Sequence, residues 1–388
     1  MSLSGLVCGA AFLLLTLALE QATGEEPYQD LSKKGAGFCG PGREFEAPDH
    51  LSAVRLGLTG PSTGAAGAQL RQGVELALEE ANAAGGYRGL PYEIVFRADD
   101  GPWGAVAQQV VRLAHEDRVW AVIGSLDGER AHAAELVATK LWVPVVTPGA
   151  ADLTIDYANV PWMFRLMPDD RSQANLLLDE AQRSGWKRLV LATEGKRDAR
   201  LASERLLEAA RDHGQPIVLH VEYDSYTPSE VLPRLMRAEG DALLIWGGPE
   251  GAVELIASLR REGVSVPVLV PSLLVLPEVA AQGDRLGELL GAAPLDLDAD
   301  YPSLQQFRTR FLQQTGSPPS YIAAFAYEAA RMVVTAVERV GLNRARIRDE
   351  LARMRYDGLT GEVAFNGLGG NRRQPLLVLL RARRWVRR

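Results

Sequence analysis

From Val54 onward, short apolar runs alternate with longer stretches in which apolar residues recur every three or four positions. The first run, VRLGL, is followed by a Gly/Pro/Ser/Thr loop over 60–67 and then by QLRQGVELALEEANAAGG. In that stretch Leu70, Val74, Ala77, Leu78 and Ala81 fall on one face of a 3.6-residue period, and Gly85 and Gly86 end it. The spacing predicts strand, loop and helix. The rhythm continues through YEIVFRADD, AVAQQVVRLAHED, VWAVIG, RAHAAELVATKL and VPVVTPG, and restarts after PWMFRLMPDD with SQANLLLDEAQRSG, KRLVLATE and ARLASERLLEAARDHG. PIVLHVEY, SEVLPRLMRAEG, DALLIWGG, AVELIASLRREG and VPVLVPS complete the second series. Strands this short and rich in Val and Ile, without alternation of polar residues, suit parallel sheets covered by helices on both faces. Three helices over 301–314, 321–340 and 344–354 follow, then β-like segments at 362–365 and 376–380. The fold class is doubly wound α/β with two sheets, and a cleft between them at the carboxyl ends of the strands is the expected ligand position.

The segment before Val54 has a different character. Leu6 to Leu19 is almost wholly apolar and too short to span a bilayer. With small residues at Ala22 to Gly24, it has the form of a secretory signal over 1–24, although no Lys or Arg precedes it. A periplasmic or secreted location is expected. Residues 25–51, rich in Gly, Pro and charge, form an extension before the first lobe. Beyond the signal segment Cys39 is the single cysteine, so no intramolecular disulfide is expected.

Composition narrows the function. The chain of 388 residues carries 42 Lys plus Arg against 49 Asp plus Glu, a net charge of −7, with 47% hydrophobic residues. That is a globular composition whose acidity argues against nucleic acid as a partner. The exception is a basic tail of Arg381, Arg383, Arg384, Arg387 and Arg388, read as a solvated end or a docking patch for something acidic. No HExxH motif or metal spacing among the five His is present, so neither catalysis, a metal nor a cofactor is expected.

Candidate ligand residues follow from position. The glycine-rich GLTGPSTG lacks the Lys of a P-loop, and its Ser62 is placed to approach a ligand. Asp127 and Gly128 open the helix after VIGS, where backbone amides can receive a carboxylate or Asp127 can simply cap. Thr147, Gly149, Ala150 and Asp152 leave the next strand. In the second series the strand ends carry Glu194, Arg197 and Asp198, then Trp246, Gly248 and Glu250, then Ser272. Tyr321, at the head of the helix over 321–340, completes the set.

The order of GLTGPSTG, GVELALEEANAAGG, ADD, AVIGS, VPVVTPGA, MFRLMPDDRSQ and YIAAFAYEAARMV resembles the type I periplasmic binding proteins, in particular the leucine/isoleucine/valine-binding group of ABC importers. The resemblance runs from about Val54 to the end of the chain. It implies two Rossmann-like lobes, 52–167 with 294–361 and 168–293 with 362–388, joined by three hinge strands and closing over a small solute. It also implies an inner-membrane permease as partner and a monomeric receptor. The family's ligand positions carry over incompletely. Gly128 stands near the expected hydroxyl, Ala150 matches a backbone contact, Asp152 replaces Thr or Ser, Arg197 replaces Tyr, and Ser272 with Leu273 replaces the acid that receives an ammonium. A small polar solute, an amino acid or related compound other than Leu, Ile or Val, is the resulting expectation. A sensing or accessory subunit without transport is the alternative.

Overall fold

A computed structural model describes residues 38–388 apart from Trp103. The expected signal segment and the first part of the extension lie outside the described residues. Strands β1 (Val54–Gly60), β2 (Tyr92–Ala98), β3 (Val122–Gly124), β4 (Val145–Thr147) and β5 (Met163–Arg165) form a wholly parallel sheet in the order β2-β1-β3-β4-β5. The second sheet starts with β6 (Leu189–Glu194), β7 (Ile217–Tyr223), β8 (Ala242–Trp246), β9 (Val268–Val270) and β10 (Leu289–Ala293). A small ribbon, β11 (Tyr356–Gly358) and β12 (Gly361–Val363), follows, and β13 (Leu376–Arg381) and β14 (Arg384–Arg387) then join the second sheet antiparallel. Its order is β14-β13-β10-β9-β8-β6-β7. Every residue of β3, β4, β5, β6, β8, β9 and β10 is buried, as strands covered on both faces require.

Helices α1 (Gly64–Ala83), α2 (Ala105–His115), α3 (Gly128–Leu141) and α4 (Thr154–Tyr157) follow β1 to β4 in turn. In the second lobe α5 (Asp170–Arg183) leads into β6, and α6 (Arg197–Asp212), α7 (Leu232–Arg237) and α8 (Pro249–Arg261) follow β6 to β8. Two single turns, α9 (Pro277–Ala280) and α10 (Gly283–Leu286), precede β10. The chain then returns to the first lobe with α11 (Pro302–Thr315), α12 (Tyr321–Val340) and α13 (Arg344–Arg353). Helix α12 lies directly on α1: a Cβ added at Gly73 would sit 2.4 Å from the Ala323 carbonyl oxygen, so glycine permits the approach. The helix expected over SEVLPRLMRAEG is shorter than its pattern. Pro233, near the start of α7, cannot donate a backbone N–H, and the preceding Pro228–Val231 winds as a 3-10 turn.

The chain passes between the sheets three times, after β5, after β10 and between β12 and β13. The first and third passages are tied together. Arg165 N donates to Gly369 O at 2.8 Å, Asn371 N returns a bond to Arg165 O at 2.9 Å, and the Asn371 side chain donates to Leu166 O at 2.8 Å. The fully buried Arg165 guanidinium donates to both Asp156 carboxylate oxygens, at 3.1 and 2.8 Å, and to the Met167 carbonyl. A buried charge without such partners would cost several kcal/mol.

The start of the described chain straps the first lobe. Phe38 packs edge-on to Trp162 at a centroid distance of 4.8 Å, and Arg43 Nε donates to Asp349 of α13 at 2.6 Å. Cys39 is a free, partly buried thiol. The basic tail forms β14 rather than a loose end, and its charges meet acids: Arg381 with Glu288 at 2.8 Å, Arg383 with Asp284, and Arg388 with Glu180 at 2.8 Å. A sequence pattern of alternating Arg with Trp385 and Val386 hides a strand because the apolar signal is only two residues long.

Candidate functional site in the cleft between the sheets

Parallel strands deliver their carboxyl ends, and therefore the following helix N-termini, to one edge of each sheet. The two edges face each other. Between them lies a chamber of about 620 Å³, within the range of small-molecule sites. Pro61 and Thr63 after β1, the opening turn of α1 at Gly64, Ala65 and Ala66, Leu126 after β3 and Gly149 after β4 line it from the first lobe, with Tyr321 and Ile322 from the head of α12. From the second lobe come Pro249, Glu250 and Val253 of α8, Leu273 and Leu276 after β9, and Val279. The lining is largely apolar. Its charged members are Glu250, Glu254, Glu278 and Arg285, and Arg285 is bound to Glu254 at 2.5 Å. The carboxylates of Glu250 and Glu278 make no hydrogen bond or ion pair among the described residues, although Lys196 attracts Glu250 through space.

Just beyond Leu126 and Gly149 the cleft becomes a wall of charge that joins the lobes. Asp127 caps α3, accepting the Arg130 amide at 2.8 Å and the Arg130 guanidinium at 2.5 Å. Across the cleft, Asp198 in the first turn of α6 places Oδ2 at 2.6 Å from Gly128 N and 3.4 Å from Glu129 N. Its neighbour Arg197 donates from Nη1 to Asp152 at 3.0 Å and to Asp198 at 2.5 Å. Asp152 also accepts from Thr154 through its backbone N–H at 2.8 Å and its hydroxyl at 2.6 Å. His132 completes the group: its Nε2 lies 2.7 Å from Thr154 Oγ1 and 3.3 Å from Asp152, and its Nδ1 lies 2.8 Å from Glu135.

Proton affinities follow from these contacts. Bonds to Asp152 and then Glu135 outweigh burial and push the His132 imidazole up to about 9, so it is cationic at neutral pH. Burial alone would raise Asp152, yet the bonds from His132, Thr154 and Arg197 hold its carboxyl well below the usual range. Burial, with Asp127 nearby, raises Asp198 in spite of the Gly128 amide and Arg197. The neighbouring Asp170 is pushed well up by burial and by Asp152 and Asp198 beside it.

The sequence profile described as periplasmic binding protein matches residues 53–379. The chain belongs to the periplasmic binding protein family. An amino acid binding protein of Pseudomonas aeruginosa is 27% identical over 311 residues, covering 76% of this chain and 80% of that protein. Among solved structures, the branched-chain amino acid transporter substrate-binding protein LivJ of Streptococcus pneumoniae, in complex with isoleucine, superposes with a TM-score of 0.75 at 20% identity, covering 87% of this chain and all of that one (100%). An ABC transporter solute-binding protein of R. palustris in complex with benzoate gives a TM-score of 0.79 at 18% identity, covering 86% of this chain and 95% of that one. These structural likenesses speak for the fold. Among the described residues, no helix of this binding protein is long and apolar enough to cross a membrane.

Within the periplasmic binding fold the fifteen residues singled out in the sequence separate into three groups. Gly149, Glu250 and Tyr321 line the chamber. Asp127, Gly128, Asp152, Arg197 and Asp198 form the charged wall, where Arg197 meets Asp152 directly. The remaining seven are committed elsewhere. Ser62 is exposed and donates its backbone N–H to Asp100 at 2.7 Å. Thr147 is buried, donating to Ser125 O at 2.8 Å and accepting from Ala150 N at 3.3 Å, which also occupies Ala150. Trp246 is a core residue of the second lobe at 1% exposure. Ser272 donates to Ala292 O at 2.5 Å, and its N–H bonds Gln173. Glu194 is likewise held, by Gly248 N at 2.7 Å and Lys196 at 2.8 Å. His132 was not singled out, because a single His in a helical stretch carries no spacing signal; its partner Asp152 is 20 residues away. The apolar lining, Leu126, Leu273, Leu276 and Ile322, had a usable signal, since each falls just past a strand end or at a helix head.

Proposed function

We propose that this chain is an exported solute-binding protein of an ABC importer, which closes its lobes over a small polar organic solute and presents it to an inner-membrane permease. The solute is an amino acid or a related compound other than leucine, isoleucine or valine. The observation that carries the reading is the chamber itself, lined from the strand carboxyl ends of both sheets, so that one small molecule touches both lobes. A ligand with such bridging contacts has its differential affinity in the closed state and selects it. The moving bodies are 52–167 with 294–361 and 168–293 with 362–388, turning about the three passages, and the receptor works as a monomer by binding rather than catalysis. Tyr321 and Glu250 face the solute across an apolar lining, and the replacement of the family's Tyr, acid and hydroxyl positions by Arg197, Ser272 and Gly128 disfavours branched-chain amino acids.

A thermal-shift screen of the mature protein against amino acids, amides, organic acids, aromatic acids and sugars tests this, with calorimetry on each hit. A solute at about a hundred times its Kd stabilises the fold by about 2.7 kcal/mol, which a shifted midpoint reveals. Tight calorimetric binding of leucine, isoleucine or valine sinks the stated specificity. A panel with no hit at all sinks the receptor reading.

A further inference from the structure

The start of α3 is the natural seat for a carboxylate in this cleft, because first-turn amides point outward there and the helix dipole favours negative charge. That seat is filled from within the chain. Asp198 Oδ2 takes the Gly128 and Glu129 amides at 2.6 and 3.4 Å, and Asp127 takes the Arg130 amide at 2.8 Å. The loop after β4 is pressed against the same turn: a Cβ added at Gly128 would lie 2.5 Å from Asp152 Cβ. No further group fits between them. The cations are equally committed. Arg197 is shared by Asp152 and Asp198, Arg130 is bound to Asp127, and His132 lies between Glu135 and Asp152. In the adjoining chamber Arg285 is bound to Glu254, Glu278 makes no ion pair among the described residues, and Glu250 feels only the through-space attraction of Lys196, which is itself bound to Glu194 at 2.8 Å.

A solute bearing a carboxylate therefore meets an occupied seat, cations already bound to other acids, and two chamber carboxylates, Glu250 and Glu278, that make no ion pair of their own among the described residues. Building on the receptor reading above, we infer that Asp198 is a specificity-determining residue: it stands in for a solute carboxylate at α3, and the chamber takes an amine or amide without a free carboxylate. The apolar lining receives the body of such a molecule. Glu250 and Glu278 suit an ammonium or amide N–H. The opening amides of α1, whose N-cap Thr63 makes no side-chain cap, suit a carbonyl.

Matched probes with one body and two end groups test the inference: leucinamide against leucine, phenylalaninamide against phenylalanine, and benzamide against benzoate. Each is titrated calorimetrically into the mature full-length protein and into its Asp198→Ser and Asp198→Asn variants. The expected result is an amide that binds the parent protein at least about tenfold more tightly than its acid. Asp198→Ser empties the seat and raises the affinity of that acid relative to its amide by about tenfold or more, a ratio in which any loss common to both from the freed lobe contact cancels. Asp198→Asn keeps the side-chain shape without the charge and reads the same change if the Ser variant loses its thermal transition. An acid that binds the parent as tightly as its amide, or acids indifferent to both substitutions, overturns the inference and leaves the receptor reading standing. No binding by any of the six probes overturns the inference; the wider solute screen then decides the receptor reading separately.

Discussion

Asp198, at the head of α6 in the second lobe, accepts the backbone N–H of Gly128, at the head of α3 in the first, at 2.6 Å. Two helix starts face each other across the cleft, and a carboxylate from one satisfies an orphan amide of the other. With the Arg197–Asp152 pair at 3.0 Å beside it, this bond connects the lobes.

Removing that connection should open the cleft. For Asp198→Ala and Arg197→Ala the expected small-angle scattering of the solute-free protein shows a larger radius of gyration than the parent. The Asp198 side chain is 31% exposed, so the loss of stability is modest, about 1 kcal/mol. Scattering curves that superpose on the parent's would mean that the cross-lobe bonds do not hold closure.

The passage between the lobes is more sensitive. Arg165 is fully buried with Asp156 as its bidentate partner, so Asp156→Ala leaves the charge only the more distant Asp169, at 3.8 Å, and should cost about 3 kcal/mol in urea unfolding. Arg165→Lys should rescue little, because an ammonium cannot reproduce the planar fork. A denaturation midpoint within error of the parent's for Asp156→Ala would refute the role given to this pair.

The third passage has its own steric demand. Gly369 sits at φ +91°, and a Cβ there would lie 2.2 Å from the Met163 carbonyl oxygen. Gly369→Ala should destabilise by about 2 kcal/mol or more, from left-handed strain and the clash together. Hydrogen exchange should accelerate first at Arg165 and Asn371, whose amides take part in the tie between the passages.

His132 gives a pH signature. Its imidazole is raised from 6.5 to about 9 by Asp152 and Glu135, so its contribution to stability is complete below about 6.5 and disappears as pH climbs through about 9. Asp152 works in the opposite direction: its lowered carboxyl contributes above 3.8, its ordinary value, and the contribution is lost only in stronger acid. Unfolding free energy measured by urea between pH 6 and 10 should fall across the upper part of that window in the parent and less in His132→Gln. Equal slopes for the two proteins would remove His132 from the account.

Most strands of the two sheets were legible from local pattern because they are short apolar runs set between helices with one apolar face, but β5, β10 and β14 were not: β5 and β10 lie in segments that read as connections, and the apolar signal of β14 is two residues long. The rest depended on distance in sequence. Asp198 and Gly128 are 70 residues apart, and no pattern within either phrase, TEGKRD or SLDGER, announces that one will cap the other. Ser272 illustrates the opposite case. It stands at a strand end, as a ligand contact should, yet its hydroxyl is consumed by Ala292 O and its amide by Gln173. Position at the sheet edge is readable from sequence, but which side chains remain free there is decided by packing between distant segments.

Phe38 is clamped to the first lobe by Trp162, whereas Arg388 is fastened to the second through Glu180 and the β14 edge. The ends of this stretch thus travel with different halves of the molecule. A dye carried on Cys39 and another appended after Arg388 would turn the binding protein into its own ruler, converting every turn of the hinge into a change in energy transfer without touching the cleft.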